Sequence, residues 1–176
     1  MVDSLSKAER SARMASIRGK DTKPELLLRR ALHALGLRYR LHGKGLPGKP
    51  DLVFSRHRAV VFVHGCFWHR HAGCKVASTP KSNTEFWQTK FDRNVERDAG
   101  HVANLEAQGW RVFVAWECEL TGKGKASASA SELATCLESA TSLPEAVAVV
   151  DVIGSVRSGI KNPPPCELSA RNGTGC

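Results

Sequence analysis

The sequence predicts an α/β fold: a mixed central sheet with helices on both sides. Three observations carry that expectation. The run Ala59-Val60-Val61-Phe62-Val63 has no polar break, as in a strand buried on both faces. Residues 23–35 and 85–108 show helical periodicity between recognisable start and stop signals. The elements also follow one another as helix, three strands, helix, strand, the order of helices layered on a sheet. A chain of 176 residues, 41% hydrophobic, suits one core.

The elements follow in order. Ser6 can cap a short basic helix over residues 7–17. Thr22 caps the next helix, with Pro24 in its first turn and Glu25 completing a capping box. Leu26, Leu27, Arg30 and Leu35 give that helix its expected apolar face, and Gly36 stops it. Residues 37–41 read as a first strand. The Gly- and Pro-rich stretch 42–50 must then turn sharply. Residues 51–54 form a second strand, 56–58 a polar turn and 59–63 the buried strand. A Cys/His-rich loop follows at once. The helix over 85–108 offers Trp87, Phe91, Val95, Val102 and Leu105 to the core, Gly109 ends it, and 110–116 is the last strand.

After residue 121 the composition changes. Residues 122–131 are rich in Gly, Ser, Lys and Ala and read as a linker. Residues 131–139 can form one more helix. Pro163-Pro164-Pro165 and the Gly-rich end read as disordered. The expected organisation is therefore one domain over 1–121, with a basic N-terminal arm, followed by linker, helix and tail over 122–176.

Charge points to a polyanionic partner. Lys and Arg number 26 against 17 Asp and Glu, a formal charge of +9. Residues 122–176 carry five bases and five acids, so the whole excess lies in 1–121, and eight bases fall in the first 30 residues. Such an arm suits phosphates, although a solvated charged face has the same composition. No apolar run is long enough to span a membrane, and the N-terminus lacks the apolar core of a signal peptide. A reducing cytoplasm is the expected setting for the six cysteines, where clustered Cys and His more often mean metal than disulfide.

The chemistry gathers in two places. Cys66, His71 and Cys74 lie on one short loop, with Cys118 just after the last strand. Zinc takes four such ligands, and this set would staple a loop that has no core of its own. Cys118 reaches it only if its strand lies near the strand ending at Val63; reduced or paired cysteines are the alternative. Cys136, Cys166 and Cys176 are expected to bind nothing. The second place is Gly48-Lys49-Pro50-Asp51 leading into a strand. Phosphodiester hydrolysis needs Mg²⁺ to polarise the phosphate, and Asp51 with the main-chain oxygen of Val63 supplies oxygen donors. Taken alone, Pro-Asp is also an ordinary turn. His64 and His69 flank Cys66-Phe67-Trp68, and a neutral imidazole can take a proton from attacking water. His69 could instead be a spare zinc ligand. Glu25 could orient a histidine, but the capping box already explains it. Phe67 and Trp68 could be core residues or a wedge opening a base stack, with Met14 as a second wedge.

The chain resembles the very-short-patch repair (Vsr) endonucleases. The resemblance runs over about residues 7–121, through Ser11-Ala12-Arg13-Met14, Leu46-Pro47-Gly48-Lys49-Pro50-Asp51, His64-Gly65-Cys66-Phe67-Trp68-His69, Thr84-Glu85-Phe86-Trp87, Asn94-Val95-Glu96-Arg97-Asp98 and Gly109-Trp110-Arg111-Val112 with Trp116-Glu117-Cys118. The hexapeptide at 64–69 is the most specific of these. The resemblance implies a restriction-endonuclease-like core with a structural zinc site. It implies strand-specific nicking of double-stranded DNA on the 5′ side of the thymine in a T·G mismatch, as left by deamination of 5-methylcytosine. Asp51 would bind Mg²⁺ together with the Val63 main-chain oxygen. His69 would act as general base, His64 would assist at the phosphate, and Glu25 and Asp98 would support water or the histidines. Phe67, Trp68 and Met14 would intercalate, and Cys66, His71, Cys74 and Cys118 would hold zinc.

The implied protein is a monomeric, bacterial, nucleoid-associated enzyme working alongside a cytosine-5 DNA methyltransferase, with a MutL-type repair protein as a further partner to test. Two positions depart from the family pattern: Val63 stands in place of Thr, and Arg70 in place of a further His. The loop between His71 and Cys74 is also one residue longer. Rival readings are a zinc-stapled DNA-bending module without catalysis, a nuclease of fixed sequence needing no mismatch, and an RNA-binding protein. The single Tyr and the lack of an aromatic-studded sheet motif speak against the last.

Overall fold

A computed structural model describes residues 19–139, together with Ser6, Ala8, Glu9 and Ala12. The rest of the expected 7–17 helix, Met14, and everything after residue 139, Cys166 and Cys176 included, lie outside the described residues. Ser6 and Glu9 do exchange the two hydrogen bonds expected of a cap.

Helix α1 spans Lys23–Ala34 and starts as its sequence dictates, with Thr22 as N-cap, a complete capping box and Pro24 in the first turn. Strands β1 (Arg40–Leu41), β2 (Leu52–Phe54) and β3 (Ala59–His64) then form an antiparallel meander. A one-turn 3₁₀ segment, Ser55–His57, closes the β2–β3 connection with Arg58 in the left-handed region. Helix α2 (Thr84–Ala107) crosses over, and β4 (Arg111–Trp116) returns parallel to β3. The sheet order is β1-β2-β3-β4, a mixed sheet as expected. Among the described residues, no helix is long and apolar enough to cross a membrane.

Alternation along the strands puts a core on each face. Leu52, Phe54, Ala59, Val61, Phe113 and Ala115 face α1 and the last helix, whereas Val53, Val60 and Phe62 face Leu105 of α2. β3 serves both layers, which is why its sequence has no polar break. Of the residues α2 was expected to offer, Phe91 and Leu105 are buried, while Val95 is exposed.

Three expectations need correction. First, residues 122–131 are not a linker. Lys123–Ser139 is one continuous helix, α3, whose Ala126, Ala130, Leu133 and Leu137 are buried in the main core. Alanine favours helix whatever the flexibility of its Gly and Ser neighbours, and small side chains let α3 approach α1 closely. Arg111 ties the far end down by donating to the carbonyls of Cys136 and Leu137 at 2.9 and 3.2 Å. Second, the face of α1 that is buried comprises Glu25, Leu28, Arg29 and Leu32, while Leu26 and Leu35 are exposed. The buried stripe has i, i+3, i+4, i+7 spacing, but two of its members are charged; pairing between them makes their burial tolerable, and apolarity alone does not show it. Third, the first strand is only Arg40–Leu41. Tyr39 packs edge-on against Phe54 and donates its hydroxyl to the Arg29 carbonyl at 2.8 Å.

Candidate active site and a neighbouring Cys/His cluster

Where β2 stops short of Asp51, the edge of β3 is left to a side chain. The Val63 N–H donates to Asp51 Oδ2 at 2.7 Å. Within a strand, the N–H and C=O of one residue point to the same neighbour, so the Val63 carbonyl also faces the Asp51 side. The loop before Asp51 is shaped for this exit. His42 N–H donates to the Asp51 carbonyl and Gly43 N–H to that of Pro50, at 3.1 and 2.9 Å. Gly48 sits at φ +71°, and a Cβ there would meet His101 and Phe62 at 3.0 Å, so glycine is required. Asp21, His42 and Lys49 all take the left-handed conformation beside the same cleft, a concentration of strained backbone typical of functional sites.

Beyond His64 the chain winds into a single tight turn. Trp68 and His69 N–H groups both donate to the Gly65 carbonyl at 3.1 Å, and His71 N–H donates to that of Cys66 at 3.1 Å. This turn brings together residues five apart. His69 stacks on His64 with ring centroids 3.9 Å apart, and His71 Nδ1 comes within 3.7 Å of Cys66 Sγ. One turn therefore serves two clusters.

The first cluster is His64, His69 and Asp98. Burial, with the adjacent His69 ring, holds the His64 imidazole down to about 3, so it is neutral. Burial works to raise the Asp98 carboxyl, but its bonds to His69 and Arg97 outweigh this and leave it below the usual carboxylate range. An ionised Asp98 can only accept. His69 therefore donates Nδ1–H to Asp98 Oδ2 at 2.5 Å, which leaves the lone pair on Nε2. Across the cleft, burial pushes Asp51 upward; the Val63 N–H opposes this and the nearby Glu25 charge adds to it. Glu25 itself is buried, with both oxygens committed. Oε1 accepts from Thr22 Oγ1 at 2.9 Å, and Oε2 accepts from Asp21 N–H at 3.0 Å and from Arg29 Nη2 at 2.8 Å.

These groups line one cleft of about 860 Å³ that holds Glu25, Asp51, Val63, His64, Trp68, His69 and Asp98 together. Lys20, Lys44, Lys49 and Arg97 bring positive charge to the same walls, with His42 and His101. Motif reading missed these last residues except Lys49 and Arg97, which it quoted without a role. They come from three separate stretches, the residues before α1, the 42–49 loop and α2, which only the fold brings to one cleft. A cleft with a carboxylate, a carbonyl, a carboxylate-oriented histidine and a cationic rim is suited to acting on a phosphodiester.

The second cluster is Cys66, His71, Cys74 and Cys118, whose ligand atoms all lie within 4.8 Å of one another. Parallel pairing sets Val63 beside Ala115 and His64 beside Trp116, so Cys118 arrives next to Cys66 as the ligand spacing requires. Cys118 Sγ lies 3.3 Å from His71 Nδ1, and the His71 ring stacks on Trp116 at 4.2 Å. Tetrahedral zinc, at about 2.3 Å from sulfur and 2.0 Å from nitrogen, needs ligands roughly 3.5–3.8 Å apart, so the donor set fits a tetrahedral metal. Burial pushes the Cys66 thiol up to about 12. His69 falls in the first cluster and His71 in the second.

The family model described as DNA mismatch endonuclease Vsr matches residues 2–75. The type II nicking enzyme V.XorIIP of Xanthomonas oryzae is 49% identical over 124 residues, spanning 70% of this chain and 90% of that protein. The DNA mismatch endonuclease Vsr of Escherichia coli is 44% identical over 125 residues, covering 71% of this chain and 80% of its own. The chain belongs to the Vsr family. The type II nicking enzyme V.NmeAIP of Neisseria meningitidis is 47% identical over 123 residues, covering 70% and 87%.

The departures from the Vsr pattern can now be located. Val63 contributes to the site through its backbone, which any side chain there would supply. Arg70 turns away from both clusters. Its guanidinium lies 4.4 Å over the Phe91 ring and donates to the Ser78 carbonyl and Thr79 Oγ1, strapping the Cys/His loop to α2. Between His71 and Cys74 the chain makes a turn in which Gly73 is left-handed, and Cys74 reaches the cluster. Phe67 and Trp68 are half-buried in an aromatic group with Trp87 and Phe91, and Trp68 also lines the cleft. They are therefore neither fully core nor free.

Proposed function

We propose that this protein is a strand-specific DNA mismatch endonuclease that nicks 5′ of the thymine in a T·G mismatch by Mg²⁺-assisted phosphodiester hydrolysis. The observation that carries this reading is the cleft in which Asp51, paired to the Val63 backbone, faces the stacked His64–His69–Asp98 group. Membership of a family whose relatives are named mismatch endonuclease and nicking enzymes supports it. The restriction-endonuclease-like character of the core belongs to the same proposal. It is supported by a mixed sheet with the carboxylate at the start of β2 and the histidines at and just beyond the end of β3.

The Asp51 carboxylate and Val63 carbonyl form an oxygen-only donor set suited to a hard cation. When bound, Mg²⁺ supplies Lewis acidity that polarises the phosphate and stabilises the leaving oxygen. His69 Nε2 takes the proton from the attacking water, and Asp98 holds the ring in that tautomer and stabilises the imidazolium that forms. His64, neutral and buried, donates a hydrogen bond to a phosphate oxygen. Glu25 keeps the α1 start in place and adds negative charge near Asp51. The P–O3′ bond breaks, leaving a 3′-hydroxyl and a 5′-phosphate. The Cys66, His71, Cys74 and Cys118 cluster holds structural zinc, fixing the turn that carries both histidines. Phe67 and Trp68, with Met14, wedge the base stack, which costs least at a mismatch. The chain acts as a monomer in the bacterial cytoplasm beside a cytosine-5 methyltransferase, and a MutL-type protein is a partner to test.

The test is a nicking assay with Mg²⁺ on a labelled duplex containing T·G, compared with T·A in the same flanking sequence. Nicking of T·G alone, 5′ of the thymine, is expected. Equal cutting of both would favour the fixed-sequence nuclease, and binding without a nick the bending module.

A further inference from the structure

The exposed side of α2 carries a stripe that the proposed reaction does not use. Phe86, Lys90, Arg93 and Arg97 follow one another at i, i+4, i+7 and i+11, so they lie along one line of the helix. At about 100° per residue, three of the segment's acids, Glu85, Asp92 and Glu96, fall roughly a quarter-turn or more to one side. Phe86 is 60% exposed at the outer end. Lys90 is held in place, with its ammonium 5.1, 5.5 and 5.9 Å over the rings of Trp68, Trp87 and Phe86. Among the described residues, neither Lys90 nor Arg93 is in an ion pair. The stripe lines a groove with Glu85 at its outer end, Thr89 and Asn94, and Arg97 lines both this groove and the catalytic cleft. At the junction Arg97 donates to Asp98 at 3.1 Å, next to the carboxylate that orients His69.

We propose that Lys90, Arg93 and Arg97 form a phosphate track along α2 that leads the backbone of the cleaved DNA strand into the cleft. The inference rests on the DNA-nicking reading and names the path by which that substrate arrives. Lys90 to Arg97 spans about 10 Å of helix, a distance over which a DNA strand presents more than one phosphate. A preorganised lysine, an unpaired arginine and an arginine at the cleft lip suit a polyanion better than an apolar or cationic partner. The occupant is continuous with the substrate of the cleft because Arg97 belongs to both surfaces.

Salt dependence separates a phosphate contact from a merely solvated cation, since each contact steepens the slope of log affinity against log salt by about 0.9. Equilibrium binding of the full chain to a T·G duplex is measured from low to moderate salt for wild type, Arg93→Ala, Lys90→Ala/Arg93→Ala and Lys90→Arg/Arg93→Lys. The track predicts a slope shallower by about 0.9 in the single and about 1.8 in the double variant. It predicts a wild-type slope in the charge-preserving double, and an unchanged single-turnover nicking rate at saturating enzyme. Arg93→Ala touches no ring, so its effect is independent of Trp68. Wild-type slopes in both alanine variants would overturn the track. If wild type itself fails to nick T·G, the catalytic reading fails, while the slopes still decide the track.

Discussion

Replacing Asp98 by Asn removes a charge from the group that holds His69 while keeping its shape. Asp98 Oδ2 accepts Nδ1–H of His69 at 2.5 Å and Oδ1 accepts from Arg97 at 3.1 Å, with both partners' rings or heads on the cleft wall. A hydrogen bond to a charged group contributes about 1.5–3 kcal/mol. The imidazolium that develops as His69 takes a proton loses that stabilisation in the variant. At about 1.4 kcal/mol per decade, single-turnover nicking should fall by roughly 10- to 150-fold. The loss is larger if the amide N–H turns toward Nδ1, because His69 would then carry its proton on Nε2 and could not accept another. The assay is single-turnover cleavage of a T·G duplex at saturating enzyme and Mg²⁺, with DNA affinity measured separately. Affinity should not fall, since Asp98 repels the backbone rather than binding it. Wild-type nicking by Asp98→Asn would refute the assignment of His69 as a carboxylate-oriented base.

Three further outcomes follow from other parts of the molecule. His64 has its folded-state value lowered by burial to about 3 against an unfolded value near 6.5. The unfolded chain therefore binds the extra proton first, and stability falls as pH drops below 6.5 by up to about 1.4 kcal/mol per unit. Urea unfolding from pH 6.5 to 4.5 should show a shallower loss for His64→Gln than for wild type; equal slopes would place His64 outside the acid response. Metal analysis of the purified chain should find zinc in a one-to-one ratio, and Cys118→Ser or a strong chelator should remove it and lower the melting temperature; a metal-free chain that melts at the same temperature would refute the staple. Leu133→Ala, in the core beneath α3, should cost about 2–5 kcal/mol in urea unfolding, and truncation after residue 121 should cost more; little effect would mean that α3 is dispensable.

The two clusters were legible for a local reason. His64/His69 and Cys66/His71 are five-residue pairs on one turn, so their proximity is a property of a short stretch of chain. Cys118 joined them because a helix between two apolar strands makes those strands parallel neighbours, and the register then sets the distance. Asp51 was legible as a carboxylate at a strand start, but its bond to the Val63 N–H depends on β2 ending before β3 does. The cationic rim was not legible as a whole, because Lys20, Lys44 and Arg97 come from different parts of the chain. The helical start at residue 123 and the inward face of α1 escaped for one shared reason. Each is decided by the other's surface: Leu28 and Leu32 turn inward to meet α3, and a Gly/Ser/Ala composition becomes helix when an apolar face awaits it. The buried Glu25–Arg29 pair adds a polar signal where an apolar stripe was sought.

The central claim is that Asp51 anchors the chemistry of a mismatch-directed nick. Its most direct test is Asp51→Ala assayed beside wild type on a T·G duplex with Mg²⁺, with binding followed in the same samples. Wild type should cut once, 5′ of the thymine, leaving a 5′-phosphate, while Asp51→Ala binds the duplex and leaves it intact. Nicking by Asp51→Ala at the wild-type rate would contradict the account.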